Sequence, residues 1–418
     1  MVAPYRRLSR DKLALLAFPP PVRGWLTLCN DPDNTTIEAW EELHAFIWEE
    51  LALPFADALF VHSFNDSLPD QVSLARYRAR LLRHPYDVLH TWGDYVRSRH
   101  KIFARSDARA AMALLAEYGL TPIAWSDHSN FVGNVTHGEA AGAARAVSDR
   151  SGHHYENDGY TLDIMAEAGI VYLWDGKLTP YMGQDAPTTG YLRLRDAGFS
   201  PVHAAIVAKT RELGAPLWRA LDARRMTLHT DNRQYYVRTF EDGRRFYLFR
   251  RYGLWQKADI DGVADLLSRS HVDALLARQG TCILYTHLGK RVASRMHDTV
   301  HIPARTREAL RGVRARMDEG VLRVSPMTSL LDYLVLRDHA VLDAHAGSLD
   351  FRADGIRFTR LAASDVARFE YGVFTTPRSR LRSVSVEGVA VPFDLTPIDA
   401  RHAVLAIRPD AHAEGRPM

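Results

Sequence analysis

Only two cysteines, Cys29 and Cys282, occur in 418 residues. That is too few for a disulfide framework, and both fall inside short apolar runs that predict buried strands, so the expected setting is reduced and intracellular. No apolar run approaches the length of a membrane span, which predicts no transmembrane segment. The stretch 1–18 mixes Arg6, Arg7, Arg10 and Lys12 with a brief apolar segment and then meets Pro19, Pro20 and Pro21. It is too short and too interrupted for an ordinary signal peptide, so the expectation is a cytoplasmic, soluble protein. Charge of one sign is also lacking: the net value is +3, with arginines interspersed among acids. Neither a nucleic-acid footprint nor a polybasic membrane patch follows from that pattern. There are no repeats and no low-complexity tract. What the chain does have is 46% apolar and 25% charged residues, the composition of a globular protein long enough for one large domain with an appendage.

The most informative stretch is Gly24-Trp25-Leu26-Thr27-Leu28-Cys29-Asn30-Asp31-Pro32-Asp33-Asn34-Thr35-Thr36. An apolar run ends in two acids and passes directly into a helix start. Thr35 and Glu38 have capping-box spacing, and Trp40, Leu43, Ile47 and Leu51 follow at helical period. The same strand-then-helix rhythm recurs: strands are predicted at 58–61, 87–90, 122–125 and 170–174, with helices at 72–82, 106–119 and 162–168. The rhythm breaks across 176–261. There 235–240 and 245–250 flank Glu241-Asp242-Gly243-Arg244 and read as a half-solvated hairpin inserted into the domain. It resumes with a helix at 263–276, a strand at 281–285, a helix at 304–317, a strand at 321–324 and a helix at 328–336. Such alternation through 339 predicts a parallel barrel or a doubly wound sheet. From 340 to 418 the pattern changes to strands of period two, at 349–351, 356–358, 384–386, 389–393 and 403–407. That region is expected to be a small antiparallel β module with a loose tail.

The predicted strand ends collect a biased set of side chains: Asp31 and Asp33, His90 and Asp94, Asp127 and His128, Asp175, and His287. Carboxylate and imidazole together suit a divalent metal. A metal of that kind serves amide or ester hydrolysis by acidifying a bound water and polarising a carbonyl. A carboxylate base and a histidine acid complete the inventory. Each residue also has a structural reading taken alone. Asp31 and Asp33 suit a helix N-terminus, His90 a core position, and Asp94, Asp127, His128 and His287 turns. Their joint placement at strand ends favours a site.

The order of these motifs resembles the polysaccharide deacetylase superfamily, the NodB-homology carbohydrate esterases. Cys29-Asn30-Asp31-Pro32-Asp33 stands in the first motif position, His90-Thr91-Trp92-Gly93-Asp94 in the second, Trp125 to Asn130 in the third, Leu173-Trp174-Asp175 in the fourth, and Leu284-Tyr285-Thr286-His287 in the fifth. The resemblance covers roughly 23–336. It implies a distorted, incomplete TIM-like (β/α) barrel and a metal-dependent removal of acyl groups from a sugar or glycan precursor. It also implies Asp31 and His90 as metal ligands, with Asp94 or His128 completing the set, Asp33 as base and His287 as acid. Trp92, Asp127, Trp174 and Asp175 would meet the carbohydrate. Zinc is the first expectation for the metal, with manganese, iron or magnesium admitted by the oxygen-rich set. This chain departs from the family in carrying Asn30 where an aspartate is usual, Asp94 in place of a second histidine, and no arginine in the third motif. Those departures keep open a second expectation, a barrel without catalysis that binds a glycan or a partner protein.

Overall fold

The computed structural model describes residues 13–408 except 84–85, 87, 130, 136–160, 180–181, 186–199, 201, 203–205, 207–231, 241, 255–256, 291–300 and 377–379. Seven strands carry the architecture: β1 Gly24–Asn30, β2 Phe55–Leu59, β3 Val88–Leu89, β4 Ala124–Ser126, β5 Tyr172–Thr179, β6 Arg245–Tyr252 and β7 Thr281–Thr286. Each pairs in parallel with the next. Then β7 returns to β1 along a register from Thr281 opposite Trp25 to Thr286 opposite Asn30. The sheet is therefore a closed parallel barrel, which removes its free edges. An eighth strand, β8 Leu322–Val324, pairs with Gly24–Leu26 of β1, whereas β2 pairs with Leu28–Asn30. The lower half of that seam thus belongs to β8 and the upper half to β2. This is the distortion of the TIM-like plan.

Every residue of β1, β2 and β7 is buried, as expected of strands with packing on both faces. Period two then sorts the side chains. Trp25, Cys29, Ala58, Val88, Ala124, Tyr172, Trp174, Phe249, Ile283 and Tyr285 share the inner core. Leu26, Leu28, Phe55 and Leu284 meet the surrounding helices. The inner core continues without a break into the helix Met327–His339, where Tyr333 packs on Trp25 with ring centroids 4.8 Å apart. That helix closes the N-terminal mouth of the barrel, leaving the C-terminal mouth for chemistry.

Two sequence expectations change here. The segment read as a half-solvated hairpin does pair, Tyr235–Thr239 against Arg245–Phe249, but its second strand is β6, buried apart from Arg245 and part of the barrel wall. The C-terminal region forms two four-stranded sheets rather than one antiparallel module. One is wholly antiparallel and recruits Ala14–Leu15 from the other end of the chain. The other contains a parallel pair, Ser348–Phe351 with Ser383–Val386. The strand expected at 356–358 is a turn, because the Asp354 carboxylate accepts from the N–H groups of Ile356, Arg357 and Phe358, an alternative to ladder pairing. No helix among the described residues is long and apolar enough to cross a membrane.

Candidate metal centre

The first helix, Ile37–His44, is capped by Thr36, whose hydroxyl accepts from Ala39 N at 3.2 Å. Thr35, the expected cap, is buried instead against the loop after β7. A Cβ added at Gly289 would lie 2.0 Å from Thr35 Oγ1, so only glycine lets the loop carrying His287 approach the loop carrying Asp33.

At the C-terminal mouth three buried side chains converge. His90 Nε2 lies 2.8 Å from Asp33 Oδ1, and His128 Nδ1 lies 3.3 Å from the same oxygen. Ligand atoms of Asp33, His90 and His128 all fall within 4.8 Å of one another. His90 Nδ1 is 3.3 Å from the Ser126 carbonyl; an Nδ1–H donating there lets Nε2 present a lone pair to a cation, and with no cation an Nε2–H can donate to Asp33 Oδ1. His128 Nε2 is 3.3 Å from Asp94 Oδ1, and Gln71 Nε2 donates to the other Asp94 oxygen at 2.8 Å. Two imidazole lone pairs and a carboxylate oxygen thus face one point, which is repulsive unless a proton or a cation sits between them. The donor set fits a divalent metal: neither ring nitrogen of His128 makes a hydrogen bond among the described residues, and Asp94 stands 3.3 Å behind Nε2, where it can orient the ring.

Electrostatics agree. Burial by itself would raise the Asp33 carboxyl, but His128 and His90 hold it well below the usual carboxylate range. Burial would lower His128, but Asp33 and Asp94 push it up to about 9. Without a cation this ring keeps a proton in the gap.

The backbone is strained where the trio is presented. The residue after each of the three is in the left-handed region without being glycine: Asn34 at φ +53°, Thr91 at +61° and Ser129 at +43°. Such conformations cost energy and persist where the surroundings over-determine them.

Asp31 lines the same cavity but spends both oxygens on Arg251 Nη1 and Nη2, each at 2.8 Å. Arg251 is wholly buried, its guanidinium lying over Trp174 at 4.6 Å and Tyr285 at 5.0 Å. It also donates to Ser126 Oγ at 3.0 Å. Burial raises the Asp31 carboxyl, and Arg251 together with His90 and His287 more than offsets it, so the group is held below its ordinary value. His287 Nε2 stands 3.5 Å from Asp33 Oδ2 and 3.2 Å from the Tyr285 hydroxyl. Burial and the neighbouring Lys290 lower its pKa, with Asp33 opposing. Lys290 Nζ is 3.8 Å from Asp33 Oδ2, and burial lowers that ammonium too, with Arg97 adding to the effect.

The expected residues divide as follows. Asp31, Asp33, His90, Asp127, His128, Trp174 and His287 all line one cavity of about 380 Å³. Asp94 is fully buried behind His128 rather than in the cavity. Trp92, expected to face a sugar, is a core residue: it is wholly buried, donates from Nε1 to Thr161 Oγ1 at 2.8 Å, and packs edge-on against Trp125. Asp127 accepts from Trp125 Nε1 and Val135 N, each at 3.0 Å, which ties down the loop after β4. Asp175 is in β5, but its side chain lies outside the described residues.

Sequence reasoning missed Arg251, Tyr285, Lys290 and Arg97. Arg251 stands at a strand end like the other candidates, and treating β6 as a solvated hairpin hid it. Lys290 follows His287 by three residues in the same loop. Comparison with family models, with curated proteins and with solved structures finds no match.

Proposed function

We propose that this protein is a divalent-metal-dependent hydrolase that removes an acyl group from a sugar or glycan precursor. The observation that carries the reading is the convergence of Asp33, His90 and His128 on one buried point at the open mouth of the barrel. A divalent cation bound there, zinc first among the candidates, would supply an acidified water and a polarised carbonyl. Asp33, His90 and His128 would hold it, and Asp94 would keep the His128 ring turned toward it.

The remaining groups suit the rest of the reaction. In this reading Asp31 and Asp33 exchange the roles that the family resemblance implied, because Asp33 faces both imidazoles while Asp31 is kept ionised by Arg251. Asp31 is then the carboxylate left to take a proton within the cavity, and His287 the imidazole placed to return one to a leaving group. Trp174 borders the cavity with the part of its ring that Arg251 and Tyr285 leave uncovered. A volume near 380 Å³ lies at the small end of the range of small-molecule sites.

The test is metal content followed by turnover. Protein purified without chelators is expected to contain close to one equivalent of a divalent metal and to release acetate from O-acetylated or N-acetylated monosaccharides. Chelation or Asp33→Asn should abolish both. Protein that takes up no zinc or manganese on titration would overturn the proposal, as would acetate release indifferent to chelation.

A further inference from the structure

Two cations on the cavity wall have no place in that reaction. Lys290 has one acidic partner among the described residues, Asp33, at 3.8 Å. Arg97 donates from Nη1 to the neutral Asn34 Oδ1 and lines the same cavity. With a dication at Asp33, that carboxylate is spent and Lys290 confronts a like charge over a short distance. Like charges so placed repel strongly. The arrangement makes physical sense when a bound anion lies between them.

The neighbouring acids do not fill that role. Asp31 is answered by Arg251. Asp33 and Asp94 are answered by the dication, directly and through His128. Asp127 is held by Trp125 Nε1 and Val135 N. Asp259 holds Gly262 N at 2.8 Å and does not line the cavity, and its charge, like that of Asp31, reaches Lys290 only from a distance beyond an ion pair. Along the open wall one acid, Asp127, thus faces two cations.

We propose that Lys290 and Arg97 form an anion subsite beside the metal centre, and that the acylated sugar bears a carboxylate or a phosphate next to its acyl group. This rests on the hydrolase reading above and narrows its substrate class.

The test uses the full chain, zinc-loaded, titrated with glucuronate, with glucose 6-phosphate and with glucose as the neutral control. Zinc affinity is measured separately in every protein. Because both anions can also touch the zinc, the comparison that counts is with Lys290→Gln and Arg97→Gln. The expected result is anion binding at least tenfold weaker in each variant, unchanged weak binding of glucose, and zinc affinity retained or raised. The anion bound more tightly by the unaltered protein identifies the group as carboxylate or phosphate. Anion affinity unchanged in both variants, with zinc still bound, would overturn the subsite and leave the hydrolase reading standing. Anion binding that needs Lys290 and Arg97 in a chain that takes up no zinc would do the reverse. Loss of glucose binding in parallel with anion binding would count against an anion subsite, since it would mark a general change of shape.

Discussion

Arg251 and Asp31, 220 positions apart in the chain, meet at the top of the barrel through two parallel N–H···O contacts of 2.8 Å, both side chains almost wholly out of solvent. A fork of this kind is the strong form of ion pair. It ties β6 to the end of β1 across the barrel interior and fixes the charge of a carboxylate that lines the cavity.

Arg251→Met should therefore leave a buried charge uncompensated and cost about 3–5 kcal/mol in chemical denaturation under chelating conditions. The sign of the pH effect follows from Asp31, whose folded value lies below the ordinary 3.8. Its contribution is present above 3.8 and is lost as pH falls through the lower folded value. In the variant the arginine's share is lost and burial is opposed only by His90 and His287, so the carboxyl rises and the ionised form becomes a burden at neutral pH. The deficit of the variant should shrink on acidification toward pH 4. A deficit independent of pH would contradict this account.

The trio and its support should separate on metal titration. Asp33→Asn removes the negative charge that faces both histidines and turns one ligand oxygen into an NH2 group, and should abolish measurable zinc binding by calorimetry. Asp94→Asn keeps the trio and loses only the charge behind His128, so zinc affinity should fall about 10–100-fold, the usual cost of a partner behind a ligand. Equal losses in the two variants would place Asp94 among the ligands themselves.

These residues were legible to different degrees. A parallel strand ending in Asp31 and Asp33 was readable because an unbroken apolar run followed by acids and a helix start has few other solutions. His90, His128 and His287 were readable for the same reason, as polar groups at the ends of buried strands. What the sequence could not show is which side chains face each other across the barrel. Whether Asp31 or Asp33 joins the histidines depends on one arginine 220 positions away. Trp92 and Trp174 are both aromatic at strand ends, and only packing distinguishes the core residue from the cavity wall. Ring closure itself, with β8 sharing a seam with β2, leaves no periodic signature at all.

Trp92 and Trp174 should accordingly behave oppositely. Trp92→Ala opens a cavity in the core between the barrel and the helix Leu162–Glu167 and should cost about 3–5 kcal/mol. The folded fraction of that variant should retain its zinc affinity. Trp174 borders the site, so sugar binding should perturb its fluorescence. Emission from Trp174→Phe should no longer respond to sugar, whereas Trp92→Ala should respond as the unaltered chain does.

At the opposite mouth Asp332 gathers the Tyr172 hydroxyl at 2.7 Å, Arg357 Nε at 2.9 Å and Arg368 Nη2 at 2.7 Å. This carboxylate joins the barrel to the C-terminal region, and both arginines depend on it. Asp332→Ala is expected to cost about 3 kcal/mol, the low end for a buried pair because Arg368 is half exposed. Since the site lies at the other end of the strands, zinc affinity should not change. A loss of zinc binding alongside stability would mean that the two mouths are coupled through the barrel core.

Asn30 tests whether an amide at the end of β1 is a loss or a requirement. Its amide nitrogen donates to Asp57 Oδ1 at 2.7 Å and its oxygen accepts from Leu288 N at 2.7 Å. Asp57 in turn accepts from Trp40 Nε1 and stands 2.6 Å from His44 Nε2. An aspartate at 30 would keep the Leu288 contact but set a second buried carboxylate against Asp57, where two like charges cannot both be ionised cheaply. Asn30→Asp should thus lower stability at neutral pH, recover part of it as pH falls and one carboxyl takes a proton, and give no gain in acetate release. Higher turnover in that variant, with stability unchanged, would show instead that position 30 is a catalytic place left empty. The amide's two partners argue otherwise: it is the clamp that holds the end of β1 to β2 and to the loop bearing His287.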